Sequence, residues 1–170
     1  DEAKRREESL LYLSHTDRLT GLYNRHAYEE DLKEFNSNGL GDDTWYMMID
    51  LNGLKNINDS MGHQAGNEVI SATGTILALS VTKGGYVYRL GGDEFAVVIR
   101  TDANDIRRIL DEITERTLDW NDQHRQHISY SIGVVSSGDM FASRIEDLAQ
   151  EADRRMYLQK EKFHREVAER

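Results

Sequence analysis

The chain has 170 residues, 38% of them hydrophobic, and sets 31 acidic residues against 21 Lys and Arg for a formal net charge of −10. That is enough for one domain with a real core and a short extension, and the acidic balance argues against a general affinity for nucleic acid or anionic lipid, which favour basic surfaces. Without cysteine, disulfides, thiolate metal sites and Cys nucleophiles are excluded, and no apolar run approaches the roughly 18 residues that would span a bilayer.

No signal peptide is visible. The chain begins at Asp1, not Met, so the expectation is a fragment that follows an upstream domain. Residues 1–16 are charged and then carry Leu10, Leu11 and Leu13; they predict a helix, either an ordinary N-terminal helix or a coiled-coil stalk. Asn24 is placed to cap a helix from about Arg25 to Phe35. "NSNGLGDD" reads as a loop and "TWYMMID" as a short buried strand ending at Asp50. "NGLKNINDSMGHQAGN" is polar and glycine-punctuated, with room for a helical turn or two. "EVISATGTILALSVT" predicts a helix with Val69, Ile70, Ile76, Leu77 and Leu79 toward the core.

"YVYRLGGDEFAVVI" (86–99) follows, two strand-like runs about a Gly-Gly-Asp-Glu tip. "DANDIRRILDEITERTLDW" is amphipathic, with Ile106, Ile109, Leu110, Ile113 and Leu118 as its buried stripe. "HISYSIGVV" alternates Ile128, Tyr130 and Ile132 as a strand does, and "SRIEDLAQEADRRMYLQKEKF" is a closing helix. The order α-α-β-α-β-β-α-β-α predicts an α+β domain, a central mostly antiparallel sheet with packed helices mainly on one face.

Asp50 ends a strand, and Asp93 and Glu94 sit at the hairpin tip. Taken singly, each has a plain reading as a solvated turn or strand-end acid. Neighbouring strands lie about 4.8 Å apart, so if the Trp45–Ile49 strand pairs with the hairpin, Asp50 faces Asp93 at one sheet edge. Two carboxylates that close repel unless a cation lies between them. Mg²⁺ suits such a site because it takes oxygen ligands and bridges carboxylates to substrate phosphates, and metal ions there serve phosphoryl transfer. Gly91 and Gly92, without side chains, let a nucleotide lie against the backbone.

Together these segments resemble the GGDEF domain, the diguanylate cyclase family. "DRLTGLYNR" (17–25) is similar to its opening signature, "DLNGLKNINDSMGHQAGN" (50–67) matches its Asp-rich loop pattern at most positions, and "RLGGDEF" (89–95) is its naming motif. "SIGVV" (131–135) and "EADRRMYLQK" (151–160) resemble its late strand and closing helix. The resemblance implies the GGDEF fold, of the nucleotidyl cyclase or palm-like kind, over residues 17–170, with residues 1–16 as a signalling stalk. It implies condensation of two GTP into cyclic di-GMP and two pyrophosphates across a homodimer, with proximity supplying much of the rate. By position, Asp50, Asp93 and the Leu51 carbonyl would ligate Mg²⁺ or Mn²⁺. Asp93, or else Glu94, would assist deprotonation of the 3′-hydroxyl. Asn58 would read the guanine edge, the backbone at Leu54 and Lys55 would meet the terminal phosphates, and Lys160 would reach them from the closing helix. Asp59, Gly62 and His63 would shape the loop. A bacterial cytoplasmic location, possibly behind a sensor domain, is also implied, with no nucleic-acid or membrane contact by this segment.

The chain departs from the family pattern in four places. Asn67 stands where an Asp, the second guanine reader, is usual; its single acceptor oxygen cannot take both guanine donors, so it weakens GTP binding or relaxes base choice toward a mixed cyclic GMP–AMP. Phe163 and His164 stand at a Gly-Arg pair, and Arg165, one residue on, is turned about 100° around the helix; weaker triphosphate binding follows. Thr82, Lys83, Gly84 and Gly85 replace the Arg-x-x-Asp product site, which removes tight product inhibition there. Leu54 replaces a Phe, a packing change. The competing readings are a degenerate GTP-binding regulatory module and a structural dimerisation module. Polymerisation on a related palm is disfavoured by the acidic balance.

Overall fold

The structure, a computed structural model, describes residues 1–81 and 83–170. Its centre is β1 (Thr44–Leu51), hydrogen-bonded on one side to β3 (Glu94–Arg100) and on the other to β4 (Tyr130–Ser136); β2 (Tyr86–Gly91) lies outside β3. The order is β2-β3-β1-β4 and every pairing is antiparallel. The helices are α1 (Glu2–His15), α2 (Arg25–Asn38), α3 (Leu54–Met61), α4 (His63–Ser80), α5 (Ala103–Gln123), the short α6 (Ser137–Met140) and α7 (Ile145–Ala168).

The sheet is covered on both faces, not mainly on one. Met47, Ile49 and Leu51 of β1 join Val69, Ile70 and Leu77 of α4 and Ile109 and Ile113 of α5 in one layer. Tyr46 and Met48 join Tyr28 of α2 and Leu148, Ala152 and Met156 of α7 in the other. The unbroken apolar run of β1 carries the reason: alternation marks a strand with one wet face, while a continuous run marks a strand buried on both. In the second layer the Tyr28 and Tyr46 hydroxyls share a 2.7 Å hydrogen bond, and the Tyr88 hydroxyl donates to Asp31.

Other differences from the sequence reading are local. Leu79 and Leu118 are each 59% exposed, not core. Leu79 lies about 200° around α4 from the buried Leu77, and on α5 Thr117 takes the place in the stripe after Ile113. Helix α2 runs on past Phe35 until Gly39, at φ 77°, stops it. Residues 63–67 are the first turn of α4, which Gly62 (φ 91°) separates from α3. Ile128 is buried ahead of β4, which starts at Tyr130. Helix α1 has no buried residue, and Leu10, Leu11 and Leu13 are exposed.

Candidate functional site

At the C-terminal end of β1, Asp50 is buried in register with Glu94 of β3 and Ser131 of β4. The Leu51 N–H donates to the Asp93 carbonyl at 2.9 Å, so the hairpin tip bends over the strand end. A shift in the β2–β3 register at Arg89/Gly91 and positive φ at Gly91 (154°) and Gly92 (40°) produce that bend, which favours glycine at both. From α7, the Lys160 ammonium lies 2.8 Å from Asp50 Oδ2 and donates to the Leu51 carbonyl at 3.2 Å. Burial pushes the Asp50 carboxyl up to about 6, with the Asp93 charge adding to the rise and Lys160 opposing it. Asp50 Oδ1 is buried without a hydrogen-bond partner. A buried carboxylate with an orphaned oxygen, a backbone carbonyl and a second acid form an all-oxygen donor set that fits Mg²⁺ or Mn²⁺.

Asn52 fixes the chain as it leaves β1. Its N–H donates to the Ser129 carbonyl at 2.7 Å, and its Oδ1 accepts from the Ser131 hydroxyl at 2.9 Å. Helix α3 then starts at Leu54 behind an N-cap glycine, Gly53 (φ 71°), with no side chain capping it, which leaves first-turn amides near Leu54 and Lys55 unsatisfied by a cap. Asn58 of α3 points its Oδ1 against Gly66 of α4; the oxygen is buried and unpartnered, and a Cβ on Gly66 would lie 1.8 Å from it. Asn67, next in α4, is exposed. Asp59 and His63 are exposed on the same helical pair.

The chain's own packing sets the height of Lys160. A Cβ on Gly133 of β4 would lie 1.8 Å from the Ala152 carbonyl oxygen, so glycine lets α7 lie directly on the sheet. Gln159 Oε1 accepts from the Ile132 N–H at 2.9 Å one residue before Lys160. Further along α7, Phe163 is half-buried and its ring meets that of His164. Of the residues at the product-site position, Lys83 and Gly84 form a turn before β2, and Thr82 lies outside the described residues.

Contacts behind the hairpin, from residues that charge pattern alone does not mark, hold its tip in place. Arg89 bonds Asp17 at 3.1 and 3.2 Å and donates to the Gly92 carbonyl at 2.9 Å. Arg25 donates to the Leu90 carbonyl at 2.9 Å, and the Arg89 N–H to Tyr23 O at 2.8 Å. Burial pushes the Asp17 carboxyl up, but hydrogen bonds from Thr20 and the Arg89 guanidinium outweigh it and hold the group below its ordinary range. The signal was the "DRLTGLYNR" segment itself: Asp17 and Arg25, its first and last residues, clamp the Gly-Gly hairpin from outside.

An antiparallel four-stranded sheet with a Gly-Gly-Asp-Glu hairpin bent over a buried strand-end Asp defines a GGDEF-type domain. The family described as "Diguanylate cyclase, GGDEF domain" matches residues 14–166, and the chain belongs to that family. It is similar to the probable diguanylate cyclase DgcJ of Escherichia coli (strain K12), at 31% identity over 152 residues, covering 86% of this chain and 29% of DgcJ. It is similar to the diguanylate cyclase DgcS of Shewanella oneidensis, at 28% identity over 146 residues, covering 85% of this chain and 49% of DgcS. The chain thus spans less than half the length of either relative. The crystal structure of the coiled coil and GGDEF domain of DgcB from Caulobacter crescentus, in complex with c-di-GMP, shares the fold at a TM-score of 0.81 and 22% identity, over 94% of this chain and 87% of that one. Among the described residues, no helix is long and apolar enough to cross a membrane.

Proposed function

We propose that this domain condenses two GTP into cyclic di-GMP, releasing two pyrophosphates, across a homodimer in which each domain holds one GTP. The observation that carries the reading is the meeting of Asp50, Leu51 O, Asp93 and Lys160 at one strand end, with Asp50 Oδ1 unpartnered. Asp50, the Leu51 carbonyl and Asp93 would hold Mg²⁺ or Mn²⁺. Such an ion, when bound, neutralises charge on the phosphates and lowers the pKa of a coordinated hydroxyl.

The remaining roles belong to the chain. Gly91 and Gly92 back the nucleotide, the uncapped start of α3 at Leu54 and Lys55 receives the terminal phosphates, and Asn58 accepts from the guanine edge with its free Oδ1. Asn67 offers a second, weaker acceptor. Asp93, or Glu94 beside it, takes the proton of the 3′-hydroxyl as that oxygen bonds to the partner's α-phosphorus and the α–β bridging bond breaks. Lys160 neutralises Asp50 until nucleotide arrives and then turns to the phosphates.

Residues 17–170 form the cyclase unit in this reading, and residues 1–16 a stalk through which an upstream sensor sets how two domains face each other. The exposed leucines of α1 support that assignment. Such a protein would act in the bacterial cytoplasm, and cyclic di-GMP would not inhibit it tightly through the residue 82–85 position.

A second reading, a GTP-binding regulatory module without turnover, is favoured by Asn67 and by Phe163 and His164 in place of Gly and Arg. The test is a product assay at high protein concentration with Mg²⁺ and GTP, repeated with GTP plus ATP and with Asp93→Ala. Cyclic di-GMP that vanishes in the variant supports the cyclase. A mixed dinucleotide would mean that Asn67 relaxes base choice. GTP binding without product supports the regulatory module.

A further inference from the structure

The geometry points to a transition-metal site, with Zn²⁺ as its natural occupant, formed by His15, His26 and Glu30 where α1 meets α2. His15 is the last residue of α1, and His26 and Glu30 stand one turn apart on α2, on the same face. Their ligand atoms all lie within 4.8 Å of one another. Among the described residues this is the one group of three His, Cys, Asp or Glu side chains that converges so closely.

The hydrogen bonds of His15 decide what its other nitrogen offers. Nδ1 lies 2.6 Å from the Ser14 hydroxyl oxygen and 3.0 Å from the Leu11 carbonyl oxygen; with the Ser14 hydroxyl donating to that same carbonyl at 3.0 Å, Nδ1 is left to carry the hydrogen. In the neutral ring Nε2 then presents a lone pair, and it faces Glu30 Oε2 at 2.7 Å. Two acceptors so close need a cation between them, either a proton or a metal ion. A ring nitrogen oriented by a backbone carbonyl on its far side is the arrangement that fixes imidazole ligands at metal centres. His26 Nε2 stands 3.3 Å from the other oxygen, Glu30 Oε1. The carboxylate is thus flanked by an imidazole on each side.

The backbone around the cluster is already set. Asn24 donates from Nδ2 to the Ser14 carbonyl and from its N–H to the His15 carbonyl, both at 2.9 Å, while its Oδ1 caps α2 through the Ala27 N–H. One side chain therefore holds the end of α1 against the start of α2, and the ligands come from two elements of fixed separation. Ligands of a tetrahedral ion with bonds of about 2.0–2.1 Å are spaced roughly 3.3 Å apart. The three side chains reach that spacing by rotation, because His26 and Glu30 are more than half exposed and His15 partly so.

Ligand chemistry names the occupant. Two imidazoles and one carboxylate suit Zn²⁺ and its neighbours, with a fourth position open to water, whereas Mg²⁺ prefers the all-oxygen set at Asp50. The chain thus carries two cation sites of different softness, and the one at the α1–α2 junction stiffens the joint between the N-terminal helix and the domain.

The test is Zn²⁺ binding by isothermal titration calorimetry on the full chain, with excess Mg²⁺ present, paired with the visible absorption of Co²⁺ as a reporter of coordination. One Zn²⁺ per chain is expected, weakened about tenfold or more by His26→Ala and by Glu30→Gln, with loss of the tetrahedral Co²⁺ bands. Asp50→Asn should leave the Zn²⁺ affinity unchanged. Both outer variants alter exposed side chains, and circular dichroism checks that they fold. Binding weaker than roughly 100 μM, or binding that survives His26→Ala, would overturn the assignment.

Discussion

Gly66 and Gly133 both leave no room for a Cβ, yet replacing each by alanine should have opposite consequences. At Gly66 the obstruction is Asn58 Oδ1 at 1.8 Å, the far end of a side chain that makes no hydrogen bond there. Asn58 can rotate away at about 0.5–1.5 kcal/mol, and alanine in a helix recovers about 0.5–1 kcal/mol. Gly66→Ala should therefore leave stability within about 1 kcal/mol of the parent. If Asn58 reads the guanine edge as proposed, the substitution also removes it from there, and an unmet buried contact of that kind is worth about 1–3 kcal/mol, or about 5- to 150-fold in the GTP dissociation constant. At Gly133 the obstruction is backbone: Ala152 O at 1.8 Å and Met156 N at 2.7 Å. Helix α7 must lift off β4, at about 1–3 kcal/mol or more, and it carries Lys160 with it. Urea denaturation and equilibrium GTP binding on both variants separate the effects. Equal destabilisation by the two would refute the distinction between a yielding side chain and an unyielding backbone. Parent-like GTP affinity in Gly66→Ala would remove Asn58 as the base reader.

Arg89→Ala should lose product formation by far more than its loss of about 1–3 kcal/mol in stability, because the Gly92 carbonyl is released as well as Asp17; equal GTP affinity and turnover in the variant would count against the clamp. Asp50 has its folded pKa raised from 3.8 to about 6, so its contribution to stability is full below the unfolded value and lost as pH rises through the folded one. Without nucleotide or divalent metal, Asp50→Asn should therefore melt higher than the parent above about pH 7, and the gap should close below about pH 4; a gap independent of pH would contradict this. His164→Arg should tighten GTP binding by about two- to fivefold, the scale of an exposed charge pair, measured by calorimetry; no change would mean that the departure on α7 leaves phosphate affinity untouched.

The fold was legible where periodicity and punctuation agreed. β1, the hairpin and the three long helices α4, α5 and α7 stood out because their apolar spacing left little choice. The misplacements at Leu79 and Leu118 have one source. A leucine one or two residues beyond a buried stripe looks the same in sequence as one that continues it, and only packing against the sheet decides which side it faces. The second covered face was also readable in principle, since "TWYMMID" never alternates. What could not be read was which helices take which face. That depends on β1 being the central strand with β4 on its far side, a pairing between residues 79 to 91 positions apart.

In the site, the acids were legible and their supports were not. Asp50, Asp93 and Glu94 advertise themselves by charge beside apolar runs. Asp17, Arg25 and Arg89 look like routine surface charges until the fold folds residues 17–25 against 89–92. A buried acid at a strand end is costly, and two close acids more so, which is why the hairpin needs an external clamp to hold its positive-φ glycines over Asp50. Arg89 supplies it by dividing its guanidinium between a carboxylate and a backbone carbonyl, two acceptors 75 residues apart in sequence but adjacent in space. The opening segment and the Gly-Gly-Asp-Glu tip are thus one structural unit. The same segment contains Asn24, which ties down the end of α1. Any displacement of α1 that moves Asn24 therefore acts next to Arg25, whose guanidinium holds the Leu90 carbonyl beside the Gly-Gly-Asp-Glu hairpin.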